Sequence, residues 1–376
     1  MRIGIVCYPT YGGSGVVATE LGLEMASLGH DVHFISYSQP VRLDLTAPNV
    51  YYHEVIVSDY PLFDYSPYEL VLTSKLVDVV KNENLDILHV HYAIPHASAA
   101  YMAKKILQSE GIELPIVCTL HGTDITLVGK DASFEPVITF AINKSDAVTA
   151  VSSSLKEDTL KYFKVNRTID VIPNFINLSR YENIEPGEIK ARFAPNGEPI
   201  IMHMSNFRKV KRVPDVLSVF CEVRKHISAK LVLIGDGPER YNIEHMCRQL
   251  GVCHDIHFIG KTNDVENVLA NGDLFILPSE TESFGLAALE AMAAGMPVIS
   301  SNTGGLPEVN ENGVSGFLCD VGAIDQMTDA AVEILKSKDS IEKFKKGAKE
   351  QAKKFDLHSI LPIYVKLYES LLLPLV

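Results

Sequence analysis

Short strand-like apolar runs alternate with helix-length segments along almost the whole 376-residue chain. That alternation admits few folds, because a strand followed by a helical crossover re-enters its sheet in parallel. In the first half the pattern predicts strands at Ile3–Cys7, Val32–Ser36, Ile87–His91, Ile116–Leu120 and Ala147–Val151. Helices are expected between them, for example over Val16–Leu28 and Tyr68–Asn82. In the second half the strands are expected at Ile200–Met204, Lys230–Ile234, Ile256–Ile259, Leu274–Leu277 and Val298–Ser300. A chain this long exceeds what one growing core accommodates, so two domains are expected. The alternation lapses around Asp170–Pro195, where Pro173-Asn174, Pro186-Gly187 and Pro195-Asn196-Gly197 are turn and breaker signals. This segment reads as a linker. The expected division is 1–170 and 171–355, with a final helix near Leu357–Leu373, inside 356–376, able to pack on either domain.

Charge narrows the partners. Lys and Arg total 34 against 47 Asp and Glu, a net charge of -13. Such a surface repels nucleic acid and anionic lipid, and any anionic substrate must be met by local cations and amides. The opening Met1–Cys7 run is too short for a secretory leader. The longest apolar candidate for a membrane span, Phe284–Ile299, is interrupted by Glu290. Six cysteines without a framework suit the reduced thiols of a cytoplasmic protein. His245, Cys247, Cys253, His254 and His257 crowd together, but their spacing matches no common zinc pattern, and a buried thiol among surface histidines is the simpler reading.

Open parallel sheets bind ligands beyond the carboxyl ends of their strands. After the first strand comes Tyr11-Gly12-Gly13-Ser14-Gly15-Val16-Val17-Ala18. Gly13, Ser14 and Gly15 would turn backbone N–H groups toward an anion at a helix start. A dinucleotide site also wants a carboxylate closing the second strand, and Ser36-Tyr37-Ser38 supplies none. The loop therefore reads as a phosphate or carboxylate cradle rather than a nicotinamide site, with a plain tight turn as the bland alternative. His89 and His91 share one face of their strand, but a metal would need a third ligand.

The densest signal runs from Leu277-Pro278-Ser279-Glu280-Thr281-Glu282 through Ser283-Phe284-Gly285-Leu286 to Glu290 and Gly295-Met296-Pro297. It predicts strand, loop, helix and a Gly-x-Pro stop. With Glu282 at the helix start and Glu290 two turns inside, the carboxylates would stand roughly 12 Å apart. That spread suits the two ends of a nucleotide sugar, with the helix N-terminus facing the diphosphate between them.

This stretch resembles the E-x7-E region of the family 4 retaining glycosyltransferases. The resemblance extends to Ser301-Asn302-Thr303-Gly304-Gly305-Leu306-Pro307-Glu308, Asn312–Phe317, Gly235–Glu239, Phe258–Lys261 and Pro173–Asn177. It implies the α/β GT-B fold, two Rossmann-like domains facing across a cleft, the first binding acceptor and the second the nucleotide sugar. By the same resemblance Glu290 binds the ribose and Glu282 the transferred sugar, with Ser283, Phe284, Gly285 and Leu286 offering backbone amides. Gly260 and Lys261 meet the base, and Lys211 stabilises the departing diphosphate. Asn206 stands where the family carries an arginine, and Arg208 is the nearest replacement cation. His121 matches the family histidine beside the donor sugar. No metal or cofactor is implied.

Cys7–Gly15, His89–His96 and Leu120–Asp124 carry a narrower likeness within the family. It implies UDP-N-acetylglucosamine as donor, L-malate as acceptor and retained α configuration, at the first step of bacillithiol synthesis. Ser14, Gly15, Tyr92, Thr119 and Thr123 are the residues expected to hold the dicarboxylate, and self-association is left open. Three other readings stay in play: transfer to another small acceptor, a UDP-N-acetylglucosamine 2-epimerase, and a non-catalytic nucleotide-sugar sensor.

Overall fold

The computed structural model describes residues 1–10, 13–57, 67–127, 131–184 and 187–373. Tyr11, Gly12 and Pro186, named above, lie outside them. The chain divides into two compact units, Met1–Phe175 together with the segment from Leu357 onward, and Ile176–Asp356.

The first unit runs β1 (Arg2–Val6), α1 (Ser14–Ser27), β2 (Asp31–Ser36), β3 (Val50–Glu54), α2 (Tyr68–Glu83), β4 (Ile87–His91), α3 (Ser98–Ser109), β5 (Ile116–Leu120), α4 (Glu135–Lys144), β6 (Ala147–Ala150), α5 (Ser153–Tyr162) and β7 (Ile169–Val171). All its strands pair in parallel, in the order β3-β2-β1-β4-β5-β6-β7. β4 and β5 are buried from end to end, as strands covered on both faces must be. The second unit comprises α6 (Glu188–Phe193), β8 (Ile200–Met204), α7 (Val213–Val223), β9 (Lys230–Ile234), α8 (Arg240–Gln249), β10 (Ile256–Gly260), α9 (Val265–Leu269), β11 (Leu274–Leu277), α10 (Leu286–Ala293), β12 (Val298–Ser301), α11 (Leu306–Val309), β13 (Gly316–Cys319), α12 (Ile324–Leu335) and α13 (Lys338–Lys353). Its sheet, also parallel, has the order β10-β9-β8-β11-β12-β13.

In each sheet the strand order reverses once, between β1 and β4 and between β8 and β11. Loops leaving neighbouring strands on either side of such a reversal diverge and open a crevice, which is where ligands bind in sheets of this kind.

The last helix, α14 (Leu357–Leu372), belongs to the first unit. Tyr364 and Tyr368 on it are fully buried. The Tyr368 hydroxyl lies 2.6 Å from His89 Nδ1, while His89 Nε2 lies 2.7 Å from Thr119 Oγ1, itself 2.7 Å from Thr149 Oγ1. A polar thread thus crosses the sheet under α14 with every member paired, as burial demands.

The segment read as a linker contains the division between the units, after Phe175, and also holds β7, a short 3₁₀ turn at Leu178–Tyr181 and α6. Two expectations need correction. The edge strand β3 and the short β13 went unread because Val50-Tyr51-Tyr52-His53-Glu54 has only one buried face and Gly316 opens β13 like a turn. Not all six cysteines are free thiols: Cys247 and Cys253 are joined, because the turn at Gly251 after α8 brings their Cα atoms to 5.2 Å. Cys7, Cys118, Cys221 and Cys319 are free. Among the described residues no helix is long and apolar enough to cross a membrane.

Candidate active site

In the second unit the reversal point is built from the loop after β8 and the loop after β11. His203, at the fourth position of β8, is fully buried, with Nδ1 2.8 Å from the Ile276 carbonyl of β11 and Nε2 2.8 Å from Ser205 Oγ. Ser205 Oγ in turn accepts from Phe207 N–H at 3.2 Å, shaping the turn that delivers the cations. Burial pushes the His203 imidazole down to about 4, so this support is neutral. Lys211 then closes a 3₁₀ turn over Lys209–Lys211 and reaches across to the other loop. Its Nζ donates to Glu282 Oε1 at 2.6 Å, and Ser279 Oγ donates to the same oxygen at 2.9 Å. The Glu280 N–H donates to the Val210 carbonyl at 2.8 Å, stitching the two loops by their backbones as well. Lys211 and Glu282, expected to meet the diphosphate and the sugar, are brought together by this bond. Ser279 was not foreseen; its position in the Pro278–Glu282 run was the available signal.

Glu282 is not at the helix start. The left-handed Gly285 (φ 99°) caps α10, whose first residue is Leu286. The roughly 12 Å helical rise between Glu282 and Glu290 therefore does not apply: only half-buried Glu290 rides on the helix, and Glu282 belongs to the preceding loop. The start of α10 has no side-chain cap, so its first N–H groups keep their capacity for an anion. The Phe284 side chain is buried edge-on against Phe355, which leaves its backbone, not its ring, for a ligand. Gly304 (φ 56°) lies beneath the Glu282 loop, and the Gly305 N–H donates to the Glu282 carbonyl at 2.9 Å. A Cβ at Gly304 would stand 2.0 Å from that carbonyl oxygen. Gly304→Ala is accordingly expected to lower the stability of this unit by about 2–3 kcal/mol and to weaken UDP binding. Calorimetric titration with UDP beside a thermal melt tests this, and unchanged affinity would show that the Glu282 loop does not shape the site.

Asn206 and Arg208 are exposed on the β8 loop, and Lys261 is exposed beyond β10. Gly260 (φ 78°) has open space where a side chain would be, and its carbonyl accepts from Gly235 N–H at 2.8 Å.

In the first unit the reversal point joins the β1 and β4 loops. Ser14 Oγ and the Tyr92 hydroxyl lie 2.6 Å apart, one from each loop. A side chain on Gly15 would collide with the Tyr8 carbonyl at 2.5 Å, so glycine permits the tight return into α1. Asp124 ties the β5 loop to the β4 loop: Ala93 N–H donates to its Oδ2 at 2.7 Å and Gly122 N–H to its Oδ1 at 3.2 Å. Burial pushes this carboxyl up to about 6, against the pull of its backbone donors. Thr123, beside it, is exposed, and its bond to Tyr92 joins that of Ser14 in opposing burial, which pushes the phenol up to about 12.

His121 Nε2 lies 2.8 Å from His91 Nδ1, and the ring packs against Tyr92 at 5.2 Å. His96 Nδ1 donates to the His91 carbonyl at 2.5 Å. Burial drives His121 to about 3 and His96 to about 4, and holds His91 well below the ordinary range, so the cluster is neutral. His121 thus offers hydrogen bonds rather than charge. Thr119, expected to touch the acceptor, is fully buried with its hydroxyl engaged by His89 and Thr149. Alternation along β5 turns it toward α14, which the local sequence does not announce. His89 and His91 stack at 4.4 Å, but both His89 nitrogens and His91 Nδ1 are directed to Tyr368, Thr119 and His121, not to a common point, while His91 Nε2 is buried without a partner among the described residues.

Residues 11–180 match the family described as Glycosyltransferase Family 4, and residues 186–351 the family Glycosyl transferases group 1. The chain is 45% identical over 374 residues to N-acetyl-alpha-D-glucosaminyl L-malate synthase of Bacillus anthracis, covering 99% of this chain and 97% of that one. It is 29% identical to an uncharacterized glycosyltransferase of Methanocaldococcus jannaschii over 84% of each. Among solved structures, Anabaena HepE in complex with UDP and glucose superposes with TM-score 0.82 at 19% identity, over 98% of this chain and 100% of that one. A glycosyltransferase from Rickettsia africae gives 0.80 at 21% identity, over 99% of each. The chain belongs to the family 4 glycosyltransferases, enzymes of the GT-B fold.

Proposed function

We propose that this glycosyltransferase moves N-acetylglucosamine from UDP-N-acetylglucosamine to the hydroxyl of L-malate with retained α configuration, as a cytoplasmic enzyme at the first step of bacillithiol synthesis. The 45% identity, over nearly the whole of both chains, to the N-acetyl-alpha-D-glucosaminyl L-malate synthase of Bacillus anthracis carries this reading. The site geometry supports it. Charge developing on the departing β-phosphate needs fixed donors where it forms. Lys211 on the β8 loop, Arg208 beside it and the uncapped start of α10 are such donors. Ser279 and Lys211 hold Glu282 in place to receive hydroxyls of the transferred sugar, while Glu290 on α10 takes the ribose and Gly260 and Lys261 take the base. In the first unit Ser14, Gly15, Tyr92 and Thr123 offer hydroxyls and amides to the dicarboxylate, and His121 a neutral hydrogen bond to the donor sugar.

Transfer then proceeds on one face. The C–O bond to the β-phosphate breaks, the malate hydroxyl oxygen bonds to the anomeric carbon, and its proton passes to the departing phosphate oxygen. No metal is required at this step, since cations and amide dipoles neutralise the leaving group.

Incubation with UDP-N-acetylglucosamine and L-malate should release UDP in step with an N-acetylglucosaminyl malate of α configuration, followed by mass spectrometry and NMR. UDP release independent of malate, epimerised sugar without acceptor, or preference for another acid would each replace this reading.

A further inference from the structure

The geometry of His33, His53 and Glu83 points to a divalent metal site of the zinc class, built between β2, β3 and the C-terminal turn of α2. It lies outside the residues proposed for sugar transfer and does not depend on that reading. One ligand atom from each side chain falls within 4.8 Å of the other two. His33 Nδ1 and His53 Nε2 are 3.0 Å apart. A tetrahedral zinc with bonds near 2.0–2.1 Å sets its ligand atoms about 3.3 Å apart. The imidazoles thus need to part by only a few tenths of an ångström, and the half-buried Glu83, the last residue of α2, already places a carboxylate oxygen within 4.8 Å of both.

The placement is unusual for a strand. β2 reads Asp31-Val32-His33-Phe34-Ile35-Ser36 and pairs on both sides, a setting that normally demands apolar residues. His33 is nevertheless 3% exposed, with Tyr51 stacked on it at 4.6 Å and His53 at 5.2 Å from the same face of β3. The buried His33 has its Nδ1 directed at the half-buried His53 rather than at water. A metal would bind both and give the edge strand β3 a fixed link to α2.

The surroundings suit a cation. Asp31, Asp78 and Glu83 face the pair against Arg2 and Lys75, leaving one excess negative charge. Two imidazoles and one carboxylate match zinc's ligand preferences and leave a fourth position for water.

The test is titration of the chelator-treated full-length protein with Zn2+, alongside His53→Ala and Glu83→Gln. The wild type should take up one equivalent, with a zinc-dependent rise in Tm on the order of 5 °C at saturation. Each variant should bind at least about tenfold more weakly, lose that rise, and keep the sugar-transfer rate of the wild type. Co2+ in place of zinc should give the visible absorption of a tetrahedral N/O site in the wild type only. Zinc uptake that both variants leave unchanged would mean binding at other histidines and would overturn the assignment, as would no stoichiometric uptake. Glu83→Gln, at a helix end, keeps the test valid if His53→Ala disturbs the edge strand.

Discussion

Lowering the pH from about 8 to about 5.5 is expected to take at least about 3 kcal/mol from the stability of the first unit, His91 adding to the loss in the same direction. His89 and His121 are pushed down to about 3 and His96 to about 4, in each case chiefly by burial. In the unfolded chain each titrates near 6.5. Below that value the unfolded state takes up protons the folded state refuses, so stability falls as pH falls, and keeps falling until the folded values are reached. At about pH 5.5 each of the three histidines removes about 1.4 kcal/mol. Asp124 works the other way. Its folded value near 6 lies above the unfolded one, so the folded state gains its proton first on acidification. That offsets about 0.8 kcal/mol at the same pH. Hydrogen exchange of β4 and β5 amides across this range reads the effect directly. A flat profile would mean that these imidazoles carry protons in the folded state.

Lys211→Met is expected to lower kcat by about 10²–10³-fold, the scale seen when one fixed donor to a developing anion is removed. The substitution does two things at once. It withdraws a cation from the departing phosphate, and it leaves the Glu282 carboxylate held by Ser279 alone. Glu282→Gln separates them, because the amide oxygen still accepts from Ser279 while the charge pairing is gone. The double variant should be less impaired than the product of the two single effects, since the side chains act as one unit. The KM for malate should stay near the wild-type value in all three. If Lys211→Met raised KM and spared kcat, the lysine would belong to ground-state binding rather than to the leaving group.

Most of the architecture was legible because each buried parallel strand is a self-contained apolar run between breakers. Ile87–His91, Ile116–Leu120, Ile200–Met204, Lys230–Ile234 and Leu274–Leu277 stand where the pattern put them. β3 was not legible, since an edge strand with one solvated face carries Tyr51 and Glu54 where an interior strand would carry valine. The loops were located correctly, but not their internal chemistry. The Lys211–Glu282 pair follows from the strand order, which sets β8 beside β11 although 69 residues and two further strands lie between their ends in the chain. Thr119 illustrates the converse. Its position after an apolar run marked it as ligand-facing, while the partner that faces it the other way arrives with α14.

The pairing of His89 with Tyr368, 279 residues later, has a consequence for how the protein is made. A ribosome finishes the contiguous segment 176–356 before it releases the helix that roofs the polar thread of the earlier sheet. Nascent chains therefore carry a completed later half and an earlier half whose His89 and Thr119 still meet water or a chaperone. The first unit is therefore completed only after the whole of the second has been made, out of chain order.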